Sequence, residues 1–147
     1  MPRYVPPMNR LVIIPLVLLA SGCGGGSEKA ATAALPCVTV PADLVTALAS
    51  GVDDGKPALK LTDTFAVKSK EHNDIYMIGA WINGDTSQPG VWAKADGLHV
   101  GGGLTTSVTL AAQQQSVWPD GTKKPFSISI YEDGVMAVER CVKAGHA

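Results

Sequence analysis

The side chains able to do chemistry are few and scattered. His72, His99 and His146 form no HxxxH or HExxH spacing, so two imidazoles cannot meet a zinc ion on one helix face. His72 stands in a charged turn and His146 near the chain end, both positions for solvated surface, and His99 beside glycines reads as structural or exposed. Gly101-Gly102-Gly103 suggests a phosphate cradle. That chemistry needs Lys-Ser or Lys-Thr after the last glycine, or spaced glycines opening a helix, and Leu104-Thr105-Thr106 follows instead. The triplet reads as a loop or a close backbone approach. Asp53-Asp54 offers two carboxylates for proton transfer or calcium, but adjacent side chains in a helix-to-strand loop both face water. Ser107 and Ser116 lack the GxSxG setting of an activated nucleophile. No catalytic set, metal site or cofactor is expected.

Trp81, Trp92 and Trp118 are better candidates for recognition. Aromatic rings dominate binding hot spots and also fill cores. Trp81 lies in an apolar run and reads as core. Trp92, which alternates with Lys94, and Trp118, beside a turn, read as partly exposed and form the candidate recognition surface. If the strands carrying Trp81 and Trp92 pair, the two rings could face one another.

Cys23 is different in kind. Arg10, the apolar run Leu11–Ala20, the small residues Ser21 and Gly22, and the spacer Gly24-Gly25-Gly26-Ser27 surround it in that order. A secretory signal has a basic end, an apolar core of roughly 7–15 residues and a small-residue cleavage site. A permanent span needs about 20 apolar residues, more than this run provides. Met8 makes a tidier start than Met1, and both starts remain open. Leu19-Ala20-Ser21-Gly22-Cys23 resembles the lipobox of bacterial lipoproteins, departing from it at Ala20, where that family usually has leucine. The resemblance implies a diacylglyceryl group on the Cys23 thiol, cleavage just before it, and anchoring by palmitate-class acyl chains on the extracytoplasmic face of the cell membrane. Two chains, at about 0.8 kcal/mol per buried methylene, hold where one does not. An ordinary secretory signal with an incidental cysteine is the competing reading.

The expected division is a signal peptide over residues 1–22, a lipidated cysteine with a flexible tether over 23–36, and a single domain over 37–147. The tether GGGSEKAATAALP spans about 20 Å as a flexible coil. The chain has 12 Lys plus Arg against 13 Asp plus Glu. Cleavage removes Arg3 and Arg10 and makes the remainder more acidic, which argues against nucleic acid as a partner. Cys37 and Cys141 remain. In an oxidising compartment such a pair is most simply a disulfide. The alternative, a metal or redox pair, needs nearby ligands, and only His146 is close in sequence.

The elements that carry these residues follow from periodicity. Pro41 suits a first helical position, and Leu44, Val45, Leu48 and Val52 form a stripe, giving a helix over about 41–50. Leu59 to Lys68 alternates as a half-solvated strand, whereas 75–82 (IYMIGAWI) is apolar on both faces and reads as the central strand. The polar stretch 83–90 breaks it before a strand at 91–95. Residues 98–106 include a short edge strand, Ser107 caps a helix to about Gln115, and Phe126, Ile128 and Ile130 alternate as a last strand. For 133–143, helical spacing of Val135, Val138 and Val142 competes with an Asp133-Gly134 hairpin, and the composition favours helix. The sum is an α+β domain, a small antiparallel sheet of about four strands with two or three helices packed on it.

With these residues placed, the chain resembles a group of small secreted proteins and lipoproteins of actinobacteria. The resemblance rests on 37–51 (CVTVPADLVTALASG), Ala66-Val67-Lys68-Ser69, Tyr76 to Trp81, Ser116-Val117-Trp118-Pro119, and Asp133-Gly134 leading to Cys141. It implies an α+β fold and a paired Cys37 and Cys141, and no known activity. The expected role is a binding or interaction module at the cell envelope, its partners the membrane through the anchor and a protein or other envelope component. Two other roles stand beside it: a phage- or prophage-encoded lipoprotein that excludes superinfection, and an envelope hydrolase using Asp53, Asp54 or His99.

Overall fold

The sheet is built around β3 (Ile75–Ile82), whose apolar character on both faces requires a cover on each side. The computed structural model describes residues 34–145; the expectations for Cys23, for the signal and for His146 fall outside them. Five antiparallel strands run in chain order across the sheet: β1 (Val38–Thr39), β2 (Leu61–Lys68), β3, β4 (Asp85–Ala95) and β5 (Thr105–Ser107). Helix α1 (Ala42–Ala49) and the short α2 (Leu110–Gln115) cover one face; α3 (Asp133–Gly145) covers the other. The architecture is α+β, with one strand more than the periodicity suggested.

On the α1 face, Leu44, Leu48 and Ala49 pack with Ala66, Ile78, Ile82 and Trp92. On the α3 face, Val135, Val138 and Cys141 pack with Val67, Met77, Val91 and Ile128. Gly79 sets the depth of α3, because a Cβ there would stand 2.9 Å from a Val142 methyl and 3.1 Å from a Val138 methyl. The open choice at 133–143 is thus settled as helix. Its apolar stripe meets a sheet face that would otherwise be bare, and this outweighs the local turn signal of Asp133-Gly134.

Cys37, just before β1, is bonded to Cys141 on α3, with Cα atoms 5.8 Å apart across 104 residues of sequence. The bridge ties the first element to the last. It is consistent with an extracytoplasmic, non-reducing environment. No described helix is long and apolar enough to cross a membrane.

Three expectations need correction. Residues 83–90 do not break the sheet: Asn83 and Gly84 alone turn the chain, both at positive φ (54° and 81°), as a two-residue hairpin turn demands. β4 starts at Asp85 and runs through Pro89. Second, residues 126–131 form no strand. Phe126 and Ser127 donate to the Lys123 carbonyl and Ile128 to that of Gly121, so the segment is closed by turns. Its alternation reflects one anchor, Ile128, buried under α3 while Ile130 is 45 % exposed. Third, Ser107 is not a helix cap but the last residue of β5. The cap position belongs to Thr109, whose hydroxyl donates to the Pro89 carbonyl and accepts from the Val91 N–H.

Candidate functional site

The candidate recognition residues part company in the fold. Trp92 is 0 % exposed, a correction to its expected partial exposure. It lies opposite Ile78 on the α1 face, and its indole N–H donates to the Ser116 hydroxyl at 3.2 Å. The polar alternation with Lys94 misled because α1 and the loop after β4 cover this face. Trp81 is buried as expected, but Trp92 in β4 lies opposite Ile78, so the two rings do not meet as a cross-strand pair.

Trp118 is half-buried. Its indole N–H donates to the Leu48 carbonyl at 3.2 Å, satisfying an acceptor at the end of α1. Val117 N–H bonds the Gly51 carbonyl at 2.9 Å. Gly51 leaves room for the ring, since any Cβ there would overlap the indole. The ring therefore stands as a fixed wall beside α1.

Between that wall and the sheet lies a cavity of about 280 Å³. Leu44, Ala47 and Leu48 of α1 and Ile78 of β3 line it on one side; residues 100–104 line it on the other. Gly101, Gly102 and Gly103 have φ of 78°, 63° and 47°. Three left-handed residues in succession are accessible at low cost only to glycine. This explains the triplet: it bends the loop back over the cavity, and Ala95 N–H bonds the Leu104 carbonyl at 3.0 Å to close it.

Lys94 is the one ionisable side chain among the described residues lining the cavity. It is 3 % exposed. Its ammonium donates to the Ala95 carbonyl at 2.7 Å and the Gly102 carbonyl at 2.8 Å. Sequence reasoning missed it, since a lysine alternating with a tryptophan ordinarily marks a solvated face. The neighbouring glycine triplet was the available signal.

The turn that carries Trp118 is fastened from below by Asp120. Its carboxylate accepts from Gln113 Nε2 at 2.9 Å, from Thr122 N–H at 2.9 Å and from the Thr122 hydroxyl at 2.6 Å. The Thr122 hydroxyl chiefly holds the Asp120 carboxyl below its usual 3.8. A lowered folded-state value means the contribution to stability is complete above the unfolded value and fades as pH falls through the folded one. Asp120→Asn should therefore lower the melting temperature at neutral pH and flatten its decline below about pH 3.8, as read in thermal melts across an acid series. An unchanged acid limb would remove Asp120 as a fastening.

The other sequence candidates stay apart. Asp53 and Asp54 are exposed on the α1–β2 loop, with Asp53 paired to Lys56. His99 is exposed on the β4–β5 loop, and His72 pairs with Glu132 at 3.1 Å at the start of α3. No hydrogen bond or ion pair joins either aspartate to His99. Ser107 Oγ donates to the Trp118 carbonyl and Ser116 Oγ to that of Ala112, so both hydroxyls serve the backbone. No group of three or more potential metal-ligating side chains is found among the described residues. Another groove, of about 340 Å³, exposes Leu110, Ile130, Tyr131 and Met136.

No family model matches the chain, and neither does any curated protein or solved structure.

Proposed function

We propose that this chain is a lipid-anchored, extracytoplasmic binding domain, held to the cell membrane through Cys23 and acting by holding a ligand rather than by catalysis. The observation that carries the binding role is the apolar cavity between α1 and the glycine loop, walled by Trp118. Concave, mostly apolar sites with a few placed polar groups are the usual form of small-molecule sites. The anchoring role is supported by the order of residues around Cys23 and is compatible with the oxidised Cys37–Cys141 pair. A leash of Gly and Ala residues would let the head reach ligands near the membrane surface.

A hydrolase built on Asp53, Asp54 or His99 lacks support, because these side chains lie on separate exposed loops. Among the described residues, nothing beside the groove at Leu110 and Tyr131 defines what covers it.

The test of the binding role uses the full chain and a simple neutral probe. Titration with 1-octanol should change tryptophan fluorescence saturably, because Trp118 lines the cavity. Ala47→Phe, which fills the space between α1 and the loop, should weaken that binding by at least tenfold. Equal response in both proteins would place the probe elsewhere and remove the cavity as the site.

A further inference from the structure

We infer that the cavity takes an aliphatic carboxylate of short to medium chain length, its chain against Leu44, Leu48 and Ile78 and its carboxylate on the ammonium of Lys94. The inference rests on the cavity's being a binding site, as proposed above, and adds the chemical class of the ligand.

A lysine ammonium has three N–H donors, and at Lys94 two of them go to the carbonyls of Ala95 and Gly102. Both acceptors are neutral. Among the described residues no carboxylate forms an ion pair with Lys94. An ammonium removed from water is costly unless an opposite charge and further hydrogen bonds replace the solvent. Holding a loop by two carbonyls would be served by any neutral donor of similar reach. A cation there calls for an anion, and at a lysine only 3 % exposed the attraction between them is stronger than at the surface.

The remaining lining sets what else the anion carries. Leu44, Ala47, Leu48, Ile78 and Leu104 present aliphatic surface, and Trp118 a flat ring. The glycines of the loop bring no side chains into the space. Thr105, one residue beyond Leu104, is the only other polar lining side chain among the described residues. That surface suits methylenes and rejects sugars, nucleotides or peptides, which would leave polar groups unpaired. The volume, about 280 Å³, sits at the lower edge of the roughly 300–1,000 Å³ typical of small-molecule pockets. It matches one short chain, not the two chains of a membrane lipid.

The experiment uses the full chain carrying Cys23→Ala, so that no acyl group of its own competes, titrated calorimetrically with octanoate, 1-octanol and octylamine. Octanoate should bind at least tenfold more tightly than octanol, with octylamine weakest. Lys94→Met should bring octanoate down to the octanol level while leaving octanol within about twofold, and Ala47→Phe should abolish both. Equal affinities for octanoate and octanol in the chain that retains Lys94 would overturn the ligand class and leave the binding site standing. Binding of neither up to the solubility limit would overturn both. Should Lys94→Met fail to fold, the ranking of the three probes and the Ala47→Phe variant decide the matter.

Discussion

Replacing Cys37 and Cys141 together by serine is expected to lower the melting temperature by about 15–25 °C. The bridge closes a loop of 104 residues, and cross-linking a loop of that size restricts the unfolded chain by roughly 4–5 kcal/mol at the upper end. At about 4–8 °C per kcal/mol for a domain near 100 residues, a realised gain of about 3 kcal/mol gives a shift of this order. The first of the two ends it joins has little else to hold it. β1 is only Val38–Thr39, paired with β2 through two residues, and both its side chains are exposed. Without the bridge, β1 should fray first and α3 loosen from the sheet. Thermal melts of parent and variant, oxidised and reduced, measure the effect. The variant and the reduced parent should coincide; a parent indifferent to reductant would contradict the account.

Trp92→Ala should be the most damaging single substitution in the core, costing about 3–5 kcal/mol. The ring fills the α1 face between Ile78 and α2 and is fully buried. Truncation opens a void there and also leaves the Ser116 hydroxyl without the indole N–H it accepts. Trp92→Phe should cost markedly less, since it keeps most of the apolar volume and loses only the hydrogen bond. Chemical denaturation at equilibrium would separate the two variants. Similar, small losses in both would mean that Trp92 is not a core residue.

These results bear on how much of the molecule could be read from its residues. β3 and α1 were legible because each carries a strong, self-consistent signal: apolar side chains on both faces of 75–82, and Pro41, Asp43 and a leucine stripe in 41–50. The disulfide followed from the leader. Trp92 and Lys94 were misread for a shared physical reason. Period-two alternation reports a solvated face only when nothing covers that face, and here α1 and the glycine loop do. A covering loop that returns to Lys94 from eight residues downstream through left-handed glycines leaves no trace in local periodicity. β4's first half was hidden by its polar composition and Pro89, although Asn83-Gly84 carried the correct turn signal. The strand expected at 126–131 failed because a single buried isoleucine between exposed neighbours mimics alternation without any partner strand to bond.

The site was legible only in part. Trp118 and the glycine triplet could each be singled out, but their meeting across α1 depends on the indole bond to Leu48 and on the fit against Gly51, which join parts of the chain 70 residues apart. Lys94 becomes meaningful only once that enclosure exists.

The account as a whole depends on the processed, acylated amino terminus, and mass spectrometry of the chain purified from envelopes tests this most directly. The amino-terminal peptide should begin at Cys23 and carry the mass of a diacylglyceryl thioether. An unmodified Cys23 still joined to residues 1–22, or a peptide beginning beyond Cys23, would contradict it.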